Sequence, residues 1–170
     1  GVDILKKESN GKINCLGSAP PSADDAYKPV EDKIAHKDSF GIDPEMKIIG
    51  TVMRNQKRKL FPDLFEAYRK FLDLSKKNDV YLYCHTSFPD LGWDIPKLLL
   101  RYGLSNKVLF TYVCENCKHA FPAFFSDARR RCVECKGNAF LSNVHNGVSN
   151  EFLSKVVNCF DLYIQYANSE

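Results

Sequence analysis

Long apolar runs are missing from this chain, and so is a strong excess of charge of either sign. No stretch approaches the roughly 20 apolar residues needed to cross a bilayer, and no basic segment followed by an apolar one opens the sequence. A soluble, cytoplasmic protein without a membrane span is therefore expected. The net charge of +3 over 170 residues does not by itself point to nucleic acid, although Lys57, Arg58, Lys59 and Arg129 to Arg131 form local basic clusters. There is no low-complexity segment and no internal repeat beyond an alternation of strand and helix patterns. With 44% hydrophobic and 26% charged residues, the composition is that of one globular domain with a core of ordinary size.

Cysteine is plentiful. Seven are present, an odd number, and four fall in two C-x-x-C pairs, Cys114-Glu-Asn-Cys117 and Cys132-Val-Glu-Cys135, with fourteen residues between them. A disulfide framework would need an even set, so the pattern points to a reducing compartment and a metal. Two such pairs offer four thiolates to one ion, the tetrahedral shell that zinc takes, and a shell closed by four sulfurs leaves no position for a reacting water. One structural zinc per chain is the expectation, with disulfide pairing, an iron–sulfur site, or His119 or His145 as a substitute ligand as the competing readings. Phe121, Phe124, Phe125 and Phe140 would cover the site, and Lys118, His119 and Arg129 to Arg131 would face solvent. Cys15, Cys84 and Cys159 read as free thiols that behave as small apolar residues.

Residues 1–46 carry little periodic apolar pattern and several turn signals, Ala19-Pro20-Pro21-Ser22 and Gly41-Ile42-Asp43-Pro44 among them, which predicts an extended arm and linker. From Lys47 the pattern changes. Strands are predicted over 48–53, 80–84, 108–113 and 161–166, and helices over 61–77, 95–102 and 150–160. Pro62 and Asp63 suit a first helical turn, and Gly103 suits a helix end. Short links between alternating strands and helices predict an α/β domain with a parallel sheet over 47–113 and 143–170, interrupted by the cysteine-bearing insert at 114–142.

The turn after the first strand, Arg54-Asn55-Gln56-Lys57-Arg58-Lys59, would stand at the carboxyl end of the sheet, where open α/β sheets bind ligands, so its cations suit an anion. Gly50-Thr-Val-Met-Arg54 followed by Lys59 resembles the G-x-x-x-R…K turn in the C-terminal domain of GT-B glycosyltransferases of the glycogen-synthase-like, group 1 type. Gly1-Val2-Asp3 is similar to the segment that precedes that domain, Asn158 to Tyr166 is similar to its later strand, and Ala167 to Glu170 is similar to the approach to its paired glutamates. The resemblance implies a partial Rossmann-like sheet, the C-terminal half of a GT-B fold, with the zinc ribbon as an added insert. It further implies that Arg54 and Lys59 contact the phosphates of a nucleotide-sugar donor and that Glu170 orients the donor sugar. Neither the insert nor the stretch from Gly17 to Ser39 has a counterpart in the family pattern.

On that resemblance the chain is a fragment of a retaining, metal-independent transferase. Its partners would be the donor, the enzyme's N-terminal domain and its C-terminal remainder, with self-association through an exposed sheet edge also open. No catalytic residue is assigned, and little activity is expected from the fragment alone. His85, after the second strand, is a further donor-binding candidate, set against a hydrogen-bonded turn residue. Asp90, Trp93 and Asp94 share its loop, with Trp93 read as a packing anchor and Asp94 as a first-turn residue of the next helix. The alternative from another class is a zinc-ribbon module whose basic face contacts nucleic acid or a protein partner.

Overall fold

The computed structural model describes residues 2–14, 24–125 and 129–168. Cys15, the 19–22 turn, Gly1 and Glu170 lie outside them. The chain is an α/β domain built on one seven-stranded mixed sheet. Its elements are α1 (Val2–Glu8), α2 (Lys33–Ser39), β1 (Lys47–Val52), α3 (Phe61–Ser75), β2 (Val80–His85), α4 (Ile95–Tyr102), β3 (Val108–Cys114), β4 (Ala120–Phe124), β5 (Arg129–Arg131), β6 (Asn138–Leu141), α5 (Asn150–Asn158) and β7 (Leu162–Tyr163).

The helices begin and end where local chemistry directs them. Pro62 and Pro96 occupy the first turns of α3 and α4, where a missing N–H costs nothing. The Asp94 carboxylate caps α4 by accepting from the Lys97 N–H, and Ser149 does the same for α5 with the Phe152 N–H. Lys76 and Gly103 end α3 and α4 in the left-handed conformation.

Parallel pairing joins β3 to β2, β2 to β1 and β1 to β7. The four parallel strands therefore run third, second, first, fourth, and the direction of winding reverses between β1 and β7. Right-handed crossovers then require helices on both faces, and the core divides accordingly. On one face α3 and α4 bring Phe61, Phe65, Leu99 and Ile95 onto Leu82, Cys84, Val108, Phe110 and Tyr112. On the other, α5 brings Val156 and Cys159 onto Ile48, Tyr83 and Leu109. Such an arrangement is consistent with a Rossmann-like fold.

Two expectations need correction. The insert does not stand apart from the sheet, because its strands β4, β5 and β6 belong to it. β3 pairs with β2 over Val108–Phe110 and with β6 over Tyr112–Cys114, while β4 pairs across Leu109–Val113. Since β4 overlaps both registers, β2 and β6 must share one edge of β3 and β4 must take the other. The purely parallel sheet thus becomes a mixed one through a single long strand.

Nor is 1–46 wholly an arm. Within it α2 packs against α5, with Phe40 and Phe152 rings 5.2 Å apart, and Ile42 is buried. Sequence pattern missed this because the anchor is ionic rather than periodic. The Lys37 ammonium, buried, donates to Asp161 Oδ2 at 2.7 Å and to the Met46 carbonyl at 2.7 Å. Asp161 in turn accepts from the Ile48 N–H at 2.8 Å, at the start of β1.

Gly50 is needed for contact: a side chain there would overlap the Phe160 ring. The β7 edge pairs only with β1 among the described residues, and Leu162, Tyr163 and Tyr166 are exposed beside it. No described helix is long and apolar enough to cross a membrane.

Removing one partner of a buried pair leaves an uncompensated charge, so Lys37→Ala should cost about 3 kcal/mol in denaturant unfolding. Burial alone would raise the Asp161 carboxyl, but Lys37 and the Ile48 N–H outweigh it and hold it below its ordinary value. A depressed carboxyl stabilises the fold above its unfolded value and loses that contribution as pH falls through about 4 and lower. Asp161→Asn should therefore flatten the acid limb of the stability profile; an unchanged limb would exclude this role.

Candidate metal centre and anion-binding crevice

The last residue of β3 is Cys114, and its continuation turns at once into the first C-x-x-C knuckle. The Cys114 N–H donates to the His119 carbonyl, and Lys118, just after Cys117, adopts φ 59°. The second knuckle repeats the design, with the Cys132 N–H donating to the Gly137 carbonyl and Lys136, just after Cys135, at φ 58°. Gly137 allows the knuckles to close, since a side chain there would come within 2.6 Å of Asn116 Nδ2.

The four sulfurs of Cys114, Cys117, Cys132 and Cys135 all lie within 4.8 Å of one another. Cys114 and Cys135 are 3.5 Å apart and Cys117 and Cys132 3.7 Å apart. Disulfide bonds would need about 2.05 Å, so the cysteines are free thiols placed to bind a metal ion. Main-chain N–H groups of Cys117 and of Asn116 point at the Cys114 sulfur, an arrangement that suits the thiolate a metal requires.

Neither histidine belongs to this cluster. The His119 ring stacks on Phe121, 5.8 Å between centroids. Cys84 and Cys159 are buried free thiols, both pushed up by burial, and the apolar reading of them holds. Of the phenylalanines expected to cover the cluster, Phe121 and Phe140 pair with Tyr112 and Val113 beside Cys114, whereas Phe125 meets Phe110 near the other end of β3, and Phe124 points to the opposite face and meets Tyr81. Arg130 does not face solvent either: its guanidinium lies over the Tyr112 ring at 5.3 Å and donates to the Phe124 carbonyl. The basic face expected of Arg129 to Arg131 is therefore divided, with its middle residue serving the packing.

A second constellation stands at the carboxyl ends of β1 and β2, where two loops are clasped together. Asn55, fully buried, donates through Nδ2 to the Trp93 carbonyl at 2.8 Å and accepts the Trp93 N–H at Oδ1, also at 2.8 Å. Gly92 lies so close to Asn55 that any side chain would overlap it. Trp93 Nε1 donates to the Lys59 carbonyl at 3.0 Å, and the Lys57 ammonium sits 4.2 Å above the Trp93 ring. Trp93 is thus an anchor, as expected, and Asp94 caps α4.

Arg54 is exposed and donates from Nε and Nη2 to the two oxygens of Asp90, at 2.8 and 3.1 Å. Lys59, its expected companion, has a buried side chain. His85 is largely buried, and burial pushes its imidazole down to about 4, so the ring is neutral at physiological pH. Its Nδ1 lies 2.9 Å from Thr111 Oγ1, which also meets the Tyr83 hydroxyl at 3.0 Å. His85 can offer a crevice ligand hydrogen bonding but no charge.

Beyond β7 the chain returns to the turn that follows β1, where the Asn168 N–H donates to the Arg58 carbonyl at 3.0 Å. Glu170 lies outside the described residues. Arg54, Lys59 and His85 thus share one end of the sheet, while the cysteine cluster forms a separate centre. A cavity of about 950 Å³, lined in part by Phe40, Lys118, Pro122, Glu134 and Phe152, lies apart from Arg54, Lys59 and His85.

No family model and no curated protein matches this chain. The Arg54–Asp90 pairing had no signal in the sequence, since an arginine and an aspartate 36 positions apart announce nothing until the strands bring their loops together.

Metal binding at four thiolates couples directly to folding, with about 10 kcal/mol or more available from structural sites. Stripping metal with a chelator should expose the β4–β6 amides to hydrogen exchange while the α3 amides stay protected. Equal protection before and after would rule out a metal-dependent insert.

Proposed function

We propose that this domain is the donor-binding side of a glycosyltransferase of the GT-B type, taking a nucleoside diphosphate sugar at the carboxyl ends of β1 and β7. The observation that carries the reading is the reversal of strand order beside β1, the strand that the basic turn follows. A crevice opens where neighbouring strands send their connections to opposite faces, and ligands of open α/β sheets collect there. The resemblance supplies the chemistry: Gly50, Arg54 and Lys59 stand in the order of the family's phosphate-contacting turn. Gly50 also has a structural duty, as the Phe160 ring covers it.

In this reading Arg54 is the principal phosphate contact, with Lys57 and Arg58 exposed beside it and Lys59 buried behind them. Charge builds on the diphosphate as the glycosidic bond to it breaks, and fixed cations stabilise that charge without reorganising. No nucleophile or general base is assigned within the chain, and the acceptor side belongs to another part of the enzyme.

The metal of the cysteine cluster is taken to be zinc. Zn–S bonds of about 2.3 Å in a tetrahedron separate the sulfurs by about 3.8 Å, within the span of a cluster whose sulfurs lie 3.5 and 3.7 Å apart in two pairs and no more than 4.8 Å apart in any. All four positions are filled by protein, so the ion's contribution is to hold the insert against the sheet.

The single tryptophan of the chain reports on the crevice, since Lys57 lies over its ring. Titration of UDP and of GDP should change Trp93 fluorescence, and Arg54→Ala should weaken the tighter nucleotide about tenfold or more, as expected for a lost charge-assisted contact. Absence of binding by both nucleotides, or a variant that binds as the parent does, would sink the donor assignment. Elemental analysis of the same protein should return one zinc per chain.

A further inference from the structure

Arg54 and Asp90 do not form an ordinary surface ion pair. The Asp90 side chain is only 3% exposed, whereas that of Arg54 is 51% exposed. Four donors converge on the carboxylate: Arg54 Nε and Nη2, the Leu91 N–H at 2.8 Å and the Ser87 hydroxyl. Ser87 is tied back to the other loop, because its Oγ accepts the Asn55 N–H at 3.3 Å. The carboxylate is thus saturated and fixed, while the guanidinium is fixed along one edge only. A guanidinium has five N–H donors, and Asp90 engages two of them.

We infer that Asp90, braced by Ser87, is the positioning residue of the crevice, holding Arg54 by its Nε–Nη2 edge so that the remaining N–H groups meet the phosphates of the donor. The inference rests on the nucleotide-sugar reading above. If Arg54 turned away, the Asp90 carboxylate would lose two of its four donors, which is unfavourable for a side chain that is so little exposed. Its rotameric freedom is therefore removed before any ligand arrives, and preorganisation of this kind raises affinity by lowering the ordering cost of binding. Proton uptake does not release the arm at neutral pH, since Arg54 first, and then Ser87 and the Leu91 N–H, hold the Asp90 carboxyl far below the usual carboxylate range. The negative charge of Asp90 opposes an incoming diphosphate, but it lies across the guanidinium from the free N–H groups and acts through a half-exposed, screened site.

Calorimetric titration of UDP and GDP into the parent and into Asp90→Asn, Ser87→Ala, Arg54→Ala and the Arg54→Ala/Asp90→Asn double variant tests this, with thermal unfolding recorded for each. Asp90→Asn should bind about tenfold more weakly, and the double variant no more weakly than Arg54→Ala alone, because the two residues act as one unit. Ser87→Ala should give a smaller loss in the same direction, and it decides the matter if Asp90→Asn does not fold. Parent-like or tighter binding by the folded Asp90 variant, with Arg54→Ala still impaired, would overturn the inference and leave the donor reading standing; Asp90 would then be a competitor for the arginine. Absence of nucleotide binding by the parent, or no effect of Arg54→Ala, would remove both.

Discussion

One strand carries two structures at once. β3 is buried along all seven of its residues, and it extends beyond its pairing with β2, which ends at Cys84 opposite Phe110. Main-chain groups buried in an overhang cannot be left unpaired, so β6 takes over the vacated edge and β4 lines the other. Cys114, the final residue of that strand, is also the first of the four clustered thiols. An ion held there would fasten the end of a central strand of the α/β core, and the insert is an extension of the sheet rather than an appendage to it. Cys132, Ala139 and Leu141 from the insert accordingly share one core with Phe61, Leu99 and Phe110.

The turns that follow β1 and β2 stand side by side at one end of the sheet. They are joined to one another by polar contacts rather than by apolar packing: Asn55 to the Trp93 main chain, Trp93 to the Lys59 carbonyl, and Arg54 to Asp90. Buried polar groups of this kind contribute little net stability, but they are costly to leave unpaired and so specify a single loop arrangement. The basic turn consequently behaves as a framed surface, with Arg54, Lys57 and Arg58 outward and Lys59 inward. His85, one strand away, is neutral and engaged with Thr111, which makes the cationic character of the crevice the work of the β1–α3 turn.

Much of the architecture was legible from residue pattern. Apolar runs at 48–53, 80–84 and 108–113 became β1, β2 and β3, and of the helically spaced Leu64, Phe65, Tyr68, Phe71, Leu72 and Leu74 four became the inner face of α3 while Phe71 and Leu74 stayed exposed. The C-x-x-C pairs announced their cluster because ligand spacing within a knuckle is a local property. What pattern could not supply was pairing across distance. The Lys37–Asp161 link, 124 positions apart in sequence, drew α2 out of a stretch read as an arm, and β4 to β6 joined the sheet because β3 had unpaired edges to offer.

The succession of strands and helices along the chain, the existence of the metal-binding cluster and the basic character of the first turn follow from periodicity, spacing and composition, which act over a few residues and survive without knowledge of neighbours. Which cation of that turn is buried, which arginine packs on Tyr112, and which carboxylate holds Arg54 were decided only in three dimensions. The reason is physical: a charged side chain carries no intrinsic preference for a partner, and its orientation is set by whichever unsatisfied group the folded backbone brings within hydrogen-bonding distance.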